Sequence, residues 1–252
     1  MNILYVTSFN SSIYQVTGKN LVASYLDKMA SISHQKLLIC SEGMSSHDLP
    51  SSSSLLVRDI GEDKYLHQWL TKFQDIIPTY HGGKATVENQ AQILNSFWLR
   101  KTACWFRKIV ALYYAYLNFK YQYDYLVWID ADCRFLQSLP NLKIISLLEN
   151  HHFFYYLGKC RQQIDFGIEA GFWGMDQTGM TFIPLLMECY LSGNFQRFAR
   201  WDDGYVMRML LPEIKKKGIQ SKDLVEDDTI FNSWGFQFPC LDVFHKIVFD
   251  YV

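Results

Sequence analysis

Tyr125-Leu126-Val127-Trp128-Ile129-Asp130-Ala131-Asp132-Cys133-Arg134-Phe135 sets five apolar residues directly against a pair of carboxylates. An unbroken apolar run bounded by acidic residues reads as a strand buried on both faces, the habit of central parallel strands under helices. In an open α/β sheet, ligands sit at the carboxyl ends of the strands. Asp130 and Asp132 stand at that end. Two carboxylates at i and i+2 of an extended segment point the same way. Together they can hold one hard divalent cation, which would bring along a diphosphate that otherwise repels them. An acidic turn after a strand is the plain structural alternative.

The flanking sequence supplies the rest of an α/β pattern. Upstream, residues 96–119 carry Trp98, Trp105, Ile109, Leu112, Tyr113, Tyr116 and Leu117 at helical spacing. Residues 2–7 form a short β-rich run, and residues 36–40 a second one. Between them Thr17 is the expected N-cap of a helix bearing Leu21, Val22, Tyr25, Leu26 and Met29. Residues 41–54 are turn-rich, with four consecutive serines. Tyr65, Leu66, Trp69, Leu70, Phe73, Ile76 and Ile77 mark another helix, ended by Pro78, and His81-Gly82-Gly83 is loop sequence. Strand and helix alternate onward to about residue 215. The order predicts a mostly parallel central sheet with helices on both faces. There is no internal repeat and no interdomain linker, so one Rossmann-like domain is expected over residues 1–252. Residues 248–252 read as an element cut short, as in the N-terminal domain of a longer polypeptide.

Composition narrows the class. A chain of 252 residues with 49% hydrophobic and 19% charged residues can bury a sizeable core and is not a disordered chain. A formal net charge of -1 gives no global field toward nucleic acid, and Lys215-Lys216-Lys217 reads as the solvated end of a helix. No run approaches the ~18 apolar residues of a membrane span. The six cysteines (Cys40, Cys104, Cys133, Cys160, Cys189 and Cys240) contain no CxxC pair, which suits free thiols in a reducing compartment. With an apolar run at the N-terminus too short for a signal peptide, a cytoplasmic location is expected. An aromatic content of 16% serves either the core or stacking against sugar and base rings.

Other residues carry chemistry of their own. Gly171 and Gly174 remove side chains where a backbone approaches a ligand, or else mark a bulge or tight turn. Glu169 beside them can accept hydrogen bonds from sugar hydroxyls. Asp202 and Asp203 precede the stripe Tyr205, Val206, Met209 and Leu210, where an acidic pair either caps a helix or serves catalysis. Lys108 and Arg107 lie on the long helix, as a solvated face or as cations reaching a phosphate, with Lys108 the better placed to face inward.

Trp105-Phe106-Arg107-Lys108-Ile109 followed by the 125–135 segment resembles the core signature of glycosyltransferases with the GT-A fold. Ile168-Glu169-Ala170-Gly171-Phe172-Trp173-Gly174 is similar to the small-residue loop that lines the donor sugar in that family. Tyr190-Leu191-Ser192-Gly193 and Trp201-Asp202-Asp203 match a late acidic motif of its bacterial and viral members. The resemblance covers residues 97–210, with looser similarity at the N-terminal strand, and rests on the order and spacing of the motifs. It implies a metal-assisted transfer of sugar from a nucleoside-diphosphate sugar to a hydroxyl of a glycan or glycoconjugate. It implies Mn2+ or Mg2+ on Asp130 and Asp132, with His245 as a third ligand where that histidine is not structural. Lys108 would reach the donor, Glu169 would meet the donor sugar, and Thr7, Ser8 and Phe9 would seat base and ribose. Asp203 falls where a carboxylate meets the acceptor hydroxyl. In an inverting enzyme, the direction favoured here, it would be the general base. In a retaining one, Asp203 or Glu169 would stabilise an oxocarbenium-like state. Uridine diphosphate is the expected carrier and guanosine diphosphate its rival.

Two other classes fit parts of the sequence. A phosphohydrolase of the haloacid-dehalogenase type also ends an apolar strand in Asp-x-Asp. Its nucleophile strand lies near the start of the chain, however, and small residues follow the motif where Cys133 and Arg134 stand here. A carbohydrate-binding domain that kept the fold and lost turnover is the non-enzyme alternative.

Overall fold

Leu126 and Trp128 are buried in one hydrophobic core, and Val127 and Ile129 in another. The apolar run at the centre of the sequence is therefore a strand packed on both faces, as its composition demanded. The structure is a computed structural model and describes residues 1–73, 90–156, 167–224, 236–238 and 241–243.

Its strands are β1 (Ile3–Asn10), β2 (Gln35–Glu42), β3 (Leu55–Asp59), β4 (Tyr125–Ile129), β5 (Cys133–Phe135), β6 (Phe153–Tyr156), β7 (Glu169–Asp176), β8 (Ser221–Asp223), β9 (Phe236–Phe238) and β10 (Leu241–Val243). Its α-helices are α1 (Ser11–Ile13), α2 (Lys19–Lys28), α3 (Lys64–Lys72), α4 (Gln90–Phe119), α5 (Asn141–Leu148), α6 (Phe182–Ser192) and α7 (Asp203–Lys216). Seven strands form one sheet in the order β3-β2-β1-β4-β7-β6-β8. β7 runs antiparallel to both neighbours, and the other pairings are parallel. The fold is thus the expected mostly parallel, Rossmann-like α/β sheet with helices on both faces. Helices α3, α4, α6 and α7 bury their apolar stripes in one core, and α2 and α5 in the other. Each fully buried Leu, Val, Ile or Phe in these layers contributes about 1.5–3 kcal/mol of hydrophobic free energy.

Several local expectations are corrected. Thr17 does not cap a helix. Asn10 does, its side chain accepting from Ile13 N at 2.9 Å, and Thr17 lies in a π-helical turn, Tyr14–Gly18, bonded to Ile13 O. Residues 55–59 form an edge strand, half-exposed and so without the apolar signal of a buried one. Helix α4 begins at Gln90, six residues ahead of the start expected at residue 96. Residues 169–174 of the expected small-residue loop lie in strand β7. Finally, β4 ends at Ile129, and Cys133 N donates to Asp130 O at 3.0 Å. Asp130 and Asp132 therefore belong to a tight turn, and strand alternation does not set their relative direction.

A second sheet, β5-β10-β9, is antiparallel. Its register sets Val243 opposite Cys133 and Asp242 opposite Arg134, so the C-terminal part of the chain returns to the segment just after Asp132. Pro78, His81, Gly82, Gly83, His245 and residues 248–252 lie outside the described residues, as do Cys160 and Cys240. No helix among the described residues is long and apolar enough to cross a membrane.

Candidate active site

The ladder between β1 and β4 runs from Ile3–Tyr125 to Val6–Trp128. Beyond it β1 continues with β2 as far as Asn10 and Glu42, while β4 passes to β7. The chain winds from β1 toward β3 on one side and from β4 toward β8 on the other. The sheet therefore opens at its carboxyl end at the switch point, the place where open α/β sheets bind ligands. Because β7 is reversed, its first residues come back to that same mouth. Asp130 N donates to Gly171 O at 2.9 Å.

Lys108 is the centre of the mouth. Its Nζ lies 2.7 Å from Asp130 Oδ1 and 2.6 Å from Asp203 Oδ2, with only 10% of its side-chain surface exposed. It also donates to Ala170 O at 3.1 Å and stands 5.1 Å over the ring of Trp128. The contact with Asp203 is an ion contact short of a well-aligned hydrogen bond, so its attraction is Coulombic in the main. Burial by itself would lower the Lys108 proton affinity. The two carboxylates outweigh that effect and raise it, so the side chain is a fixed ammonium. Asp203 is pushed the other way from a usual carboxylate pair: burial raises its pKa, Lys108 pulls it down, Asp130 raises it again, and the net shift is upward.

The acidic pair at the start of α7 divides its labour. Asp202 is the N-cap, its Oδ1 accepting from Tyr205 N at 2.9 Å, and its Oδ2 takes Arg200 Nε at 2.9 Å. A cap of that kind stabilises a helix by about 1 kcal/mol. The helix-capping alternative thus accounts for Asp202, and Asp203 alone turns into the lysine cluster. Tyr190 holds the approach to this turn, donating from its hydroxyl to Trp201 O at 2.9 Å.

Glu169 is buried at the first position of β7, where its Oε1 accepts from Gly171 N at 3.2 Å. Asp132, two residues beyond Asp130 in the same turn, is half-buried. The thiol of Cys133 next to them is raised well above its usual pKa by burial first and then by Asp132 and Asp130, which leaves it protonated and inert.

Other expected site residues sit elsewhere. Arg107 hydrogen-bonds Glu42 and donates to Ala103 O at 3.0 Å, tying α4 to the end of β2 and not to the lysine cluster. Thr7, Ser8 and Phe9 do not follow the first strand but lie within it. Thr7 and Phe9 are buried on the α2 face, and Phe9 stacks on Tyr14 with centroids 5.6 Å apart. Strand alternation leaves Ser8 on the α4 face with Asp130. Gly174 makes no room for a ligand. A Cβ there would stand 2.6 Å from the ring of Phe154, its partner across β6, so its reason is core packing.

Sequence reading missed two glycines that shape the site. A Cβ on Gly204 would lie 2.3 Å from Ile168 O, and one on Gly167 2.2 Å from Tyr205 N. Only glycine lets the start of α7 touch the segment entering β7, where Ile168 N donates to Gly204 O at 3.1 Å. It also missed Trp128, which fills the core beneath α4, the helix that carries Lys108 to Asp130. Its Nε1 donates to Asp130 Oδ1 at 2.7 Å.

No protein-family model matches the chain, and no curated protein matches it by sequence. Its fold is similar to that of a solved glycosyltransferase. The crystal structure of mouse xyloside xylosyltransferase 1, apo form, superposes with a TM-score of 0.51 at 9% identity, covering 89% of this chain and 85% of that one. At that identity the likeness concerns the fold, and the chemistry has to be argued from the side chains.

The donor set suits a hard divalent cation. Asp130 and Asp132 offer carboxylate oxygens, and ions such as Mg2+ are held by one or two carboxylates with substrate phosphates completing the shell. Among the described residues no group of three or more His, Cys, Asp or Glu could hold a metal ion by itself.

Proposed function

We propose that this protein is a glycosyltransferase that moves a sugar from a nucleoside-diphosphate sugar to a hydroxyl of a glycan or glycoconjugate. The observation that carries this reading is the meeting of Lys108, Asp130 and Asp203 at the switch-point mouth. Such a site needs a fixed cation beside the leaving diphosphate and a carboxylate of raised proton affinity beside the attacking hydroxyl. Asp203 has the second property, since a general base works best with its pKa moved toward the working pH. This supports inversion, with Asp203 taking the acceptor proton and Glu169 holding the donor sugar. Lys108 orients the donor by its phosphate or sugar oxygens, with Ser8 and Gly171 proposed as further donor-binding positions.

Asp130 and Asp132 would hold Mn2+ or Mg2+, which as a Lewis acid offsets the charge that builds on the leaving nucleoside diphosphate. His245 as a third ligand draws support from the β5–β10 register, which returns the chain at Val243 to Cys133. Uridine diphosphate is the proposed carrier, with guanosine diphosphate as its rival. A cytoplasmic, reducing setting is consistent with Cys40, Cys104, Cys133 and Cys189, which are all free thiols.

Calorimetric titration with a panel of nucleoside diphosphates and nucleotide sugars, with and without Mn2+, tests this reading. Metal-dependent binding of one nucleotide, followed by sugar transfer or donor hydrolysis, is the expected result. Phosphatase activity without nucleotide binding would overturn it in favour of a phosphohydrolase.

A further inference from the structure

The cross-strand neighbours Trp128 and Trp173 are register partners on β4 and β7, and both are fully packed away from solvent. Both fill the same core beneath α4. Their polar atoms differ. Among the described residues the buried indole N–H of Trp173 has no hydrogen-bond partner, while that of Trp128 reaches Asp130 Oδ1 at 2.7 Å. That oxygen also takes the Lys108 ammonium at 2.7 Å, and the ammonium stands over the Trp128 ring at 5.1 Å. One side chain therefore touches both the carboxylate and its counter-ion. A carboxylate oxygen offers about two lone-pair sites, so these two donors occupy Oδ1.

We infer that Trp128 is the positioning residue of this site: its indole N–H pins Oδ1 of Asp130 inside the protein, so that Oδ2 alone is presented to the donor. A strand position under a helix asks only for apolar bulk, which Leu126, Val127 and Ile129 supply at the other buried β4 positions. The indole adds a donor at the one place where the strand meets the chemistry. The pinned carboxylate binds through one oxygen, in a monodentate manner, and its rotation is stopped before a ligand arrives. The role of Oδ2 rests on the glycosyltransferase reading; the pinning of Oδ1 does not.

The cross-strand pair supplies its own control. Trp128→Phe keeps an aromatic ring under Lys108 and removes the N–H, whereas Trp173→Phe removes similar bulk in the same layer and no hydrogen bond. A hydrogen bond to a charged group lost from the donor site weakens binding by about ten- to a hundredfold. Trp128→Phe is expected to raise the donor Kd by that factor with kcat changed far less, and Trp173→Phe to leave both within about twofold, a margin below any charged hydrogen bond. Equal effects of the two variants on Kd and on melting temperature would make Trp128 mere filling and overturn the inference.

A second arm reads the hydrogen bond without any reaction. In a 1H–15N spectrum the indole resonance of Trp128, identified by its loss in Trp128→Phe, should shift in Asp130→Asn, while that of Trp173 stays nearly fixed. No shift at Trp128 overturns the pinning even in an active transferase. A shift in a protein that binds no nucleotide sugar upholds the pinning, and the glycosyltransferase reading alone then falls.

Discussion

Lys108 Nζ and Asp203 Oδ2 lie 2.6 Å apart, with 10% and 5% of their side-chain surfaces exposed. One residue comes from the middle of α4 and the other from the first turn of α7. Two ions taken this far from water hold each other in place; removing Lys108 leaves Asp203 buried without that compensation, whereas removing Asp203 leaves Lys108 still paired with Asp130. A donor phosphate or sugar bound at Lys108, as proposed, would compete with Asp203 for the ammonium and so link occupancy of the mouth to the charge on Asp203.

The pH profile follows from the sign of that coupling. Burial sets the Asp203 pKa above the usual carboxylate value of about 4, and Lys108 restrains the rise. A base must be ionised, so kcat/KM should fall on the acid side at a higher pH than an ordinary aspartate gives. Lys108→Met removes the restraining charge, and the acid limb should move further up in pH. A limb that stays in place in that variant would show that Lys108 does not act on Asp203.

The same substitution reports on stability. Breaking a buried pair costs about 3–5 kcal/mol. A carboxyl whose folded-state pKa is raised favours the folded state below its unfolded value, and that contribution is lost as pH rises through the folded value. Lys108→Met should therefore be most destabilised at neutral pH, where Asp203 is charged, and recover part of the loss in mild acid. Thermal melts across that range measure it.

Asp203→Asn keeps shape and removes the proposed base. Turnover should fall about 10²- to 10⁴-fold, the usual contribution of a positioned base, while donor affinity changes little. Equal losses in turnover and donor binding would reassign Asp203 to holding the donor.

Asp132→Ala should abolish metal-dependent turnover with the fold intact, since Asp132 sits half-exposed in a turn and not in either core. Manganese titration followed calorimetrically, together with a melting curve, separates loss of the ion from loss of the fold. Unchanged activity would remove the metal from the proposed chemistry.

Gly204→Ala forces a methyl group to 2.3 Å from Ile168 O. Overpacking of this kind costs about 1–3 kcal/mol. Because the displaced element is the first turn of α7, which carries Asp203, turnover should fall by more than the lost stability explains. Melting temperature and kcat measured on the same sample check both.

The layers of the fold were legible because their physics is local. Residues 125–129 announce a doubly covered strand, and the apolar stripes of α2, α3, α4 and α7 announce helices. Lys108 over Arg107 as the inward cation was legible from its place on the helix. What escaped depends on contacts between distant segments. The reversal of β7 leaves no trace in composition, because a buried strand reads alike in either direction. The close approach that requires Gly204 is written partly in Ile168, far away in sequence. Asp202 and Asp203 are adjacent and chemically identical, and only the start of α7 decides that one caps a helix and the other meets a lysine.

Strand β1 sits in the middle of the sheet, yet one of its two neighbours, β4, begins only at Tyr125. During synthesis, β2 and β3 can dock on one side of β1 soon after leaving the ribosome, while the other side waits for more than a third of the chain. For that interval Ile3, Leu4, Tyr5 and Val6 present an unpaired apolar edge, a template for pairing with another nascent copy. Polypeptides that stop before Ile129 should consequently accumulate as aggregates, and a slowed ribosome anywhere in α4 would prolong the hazard.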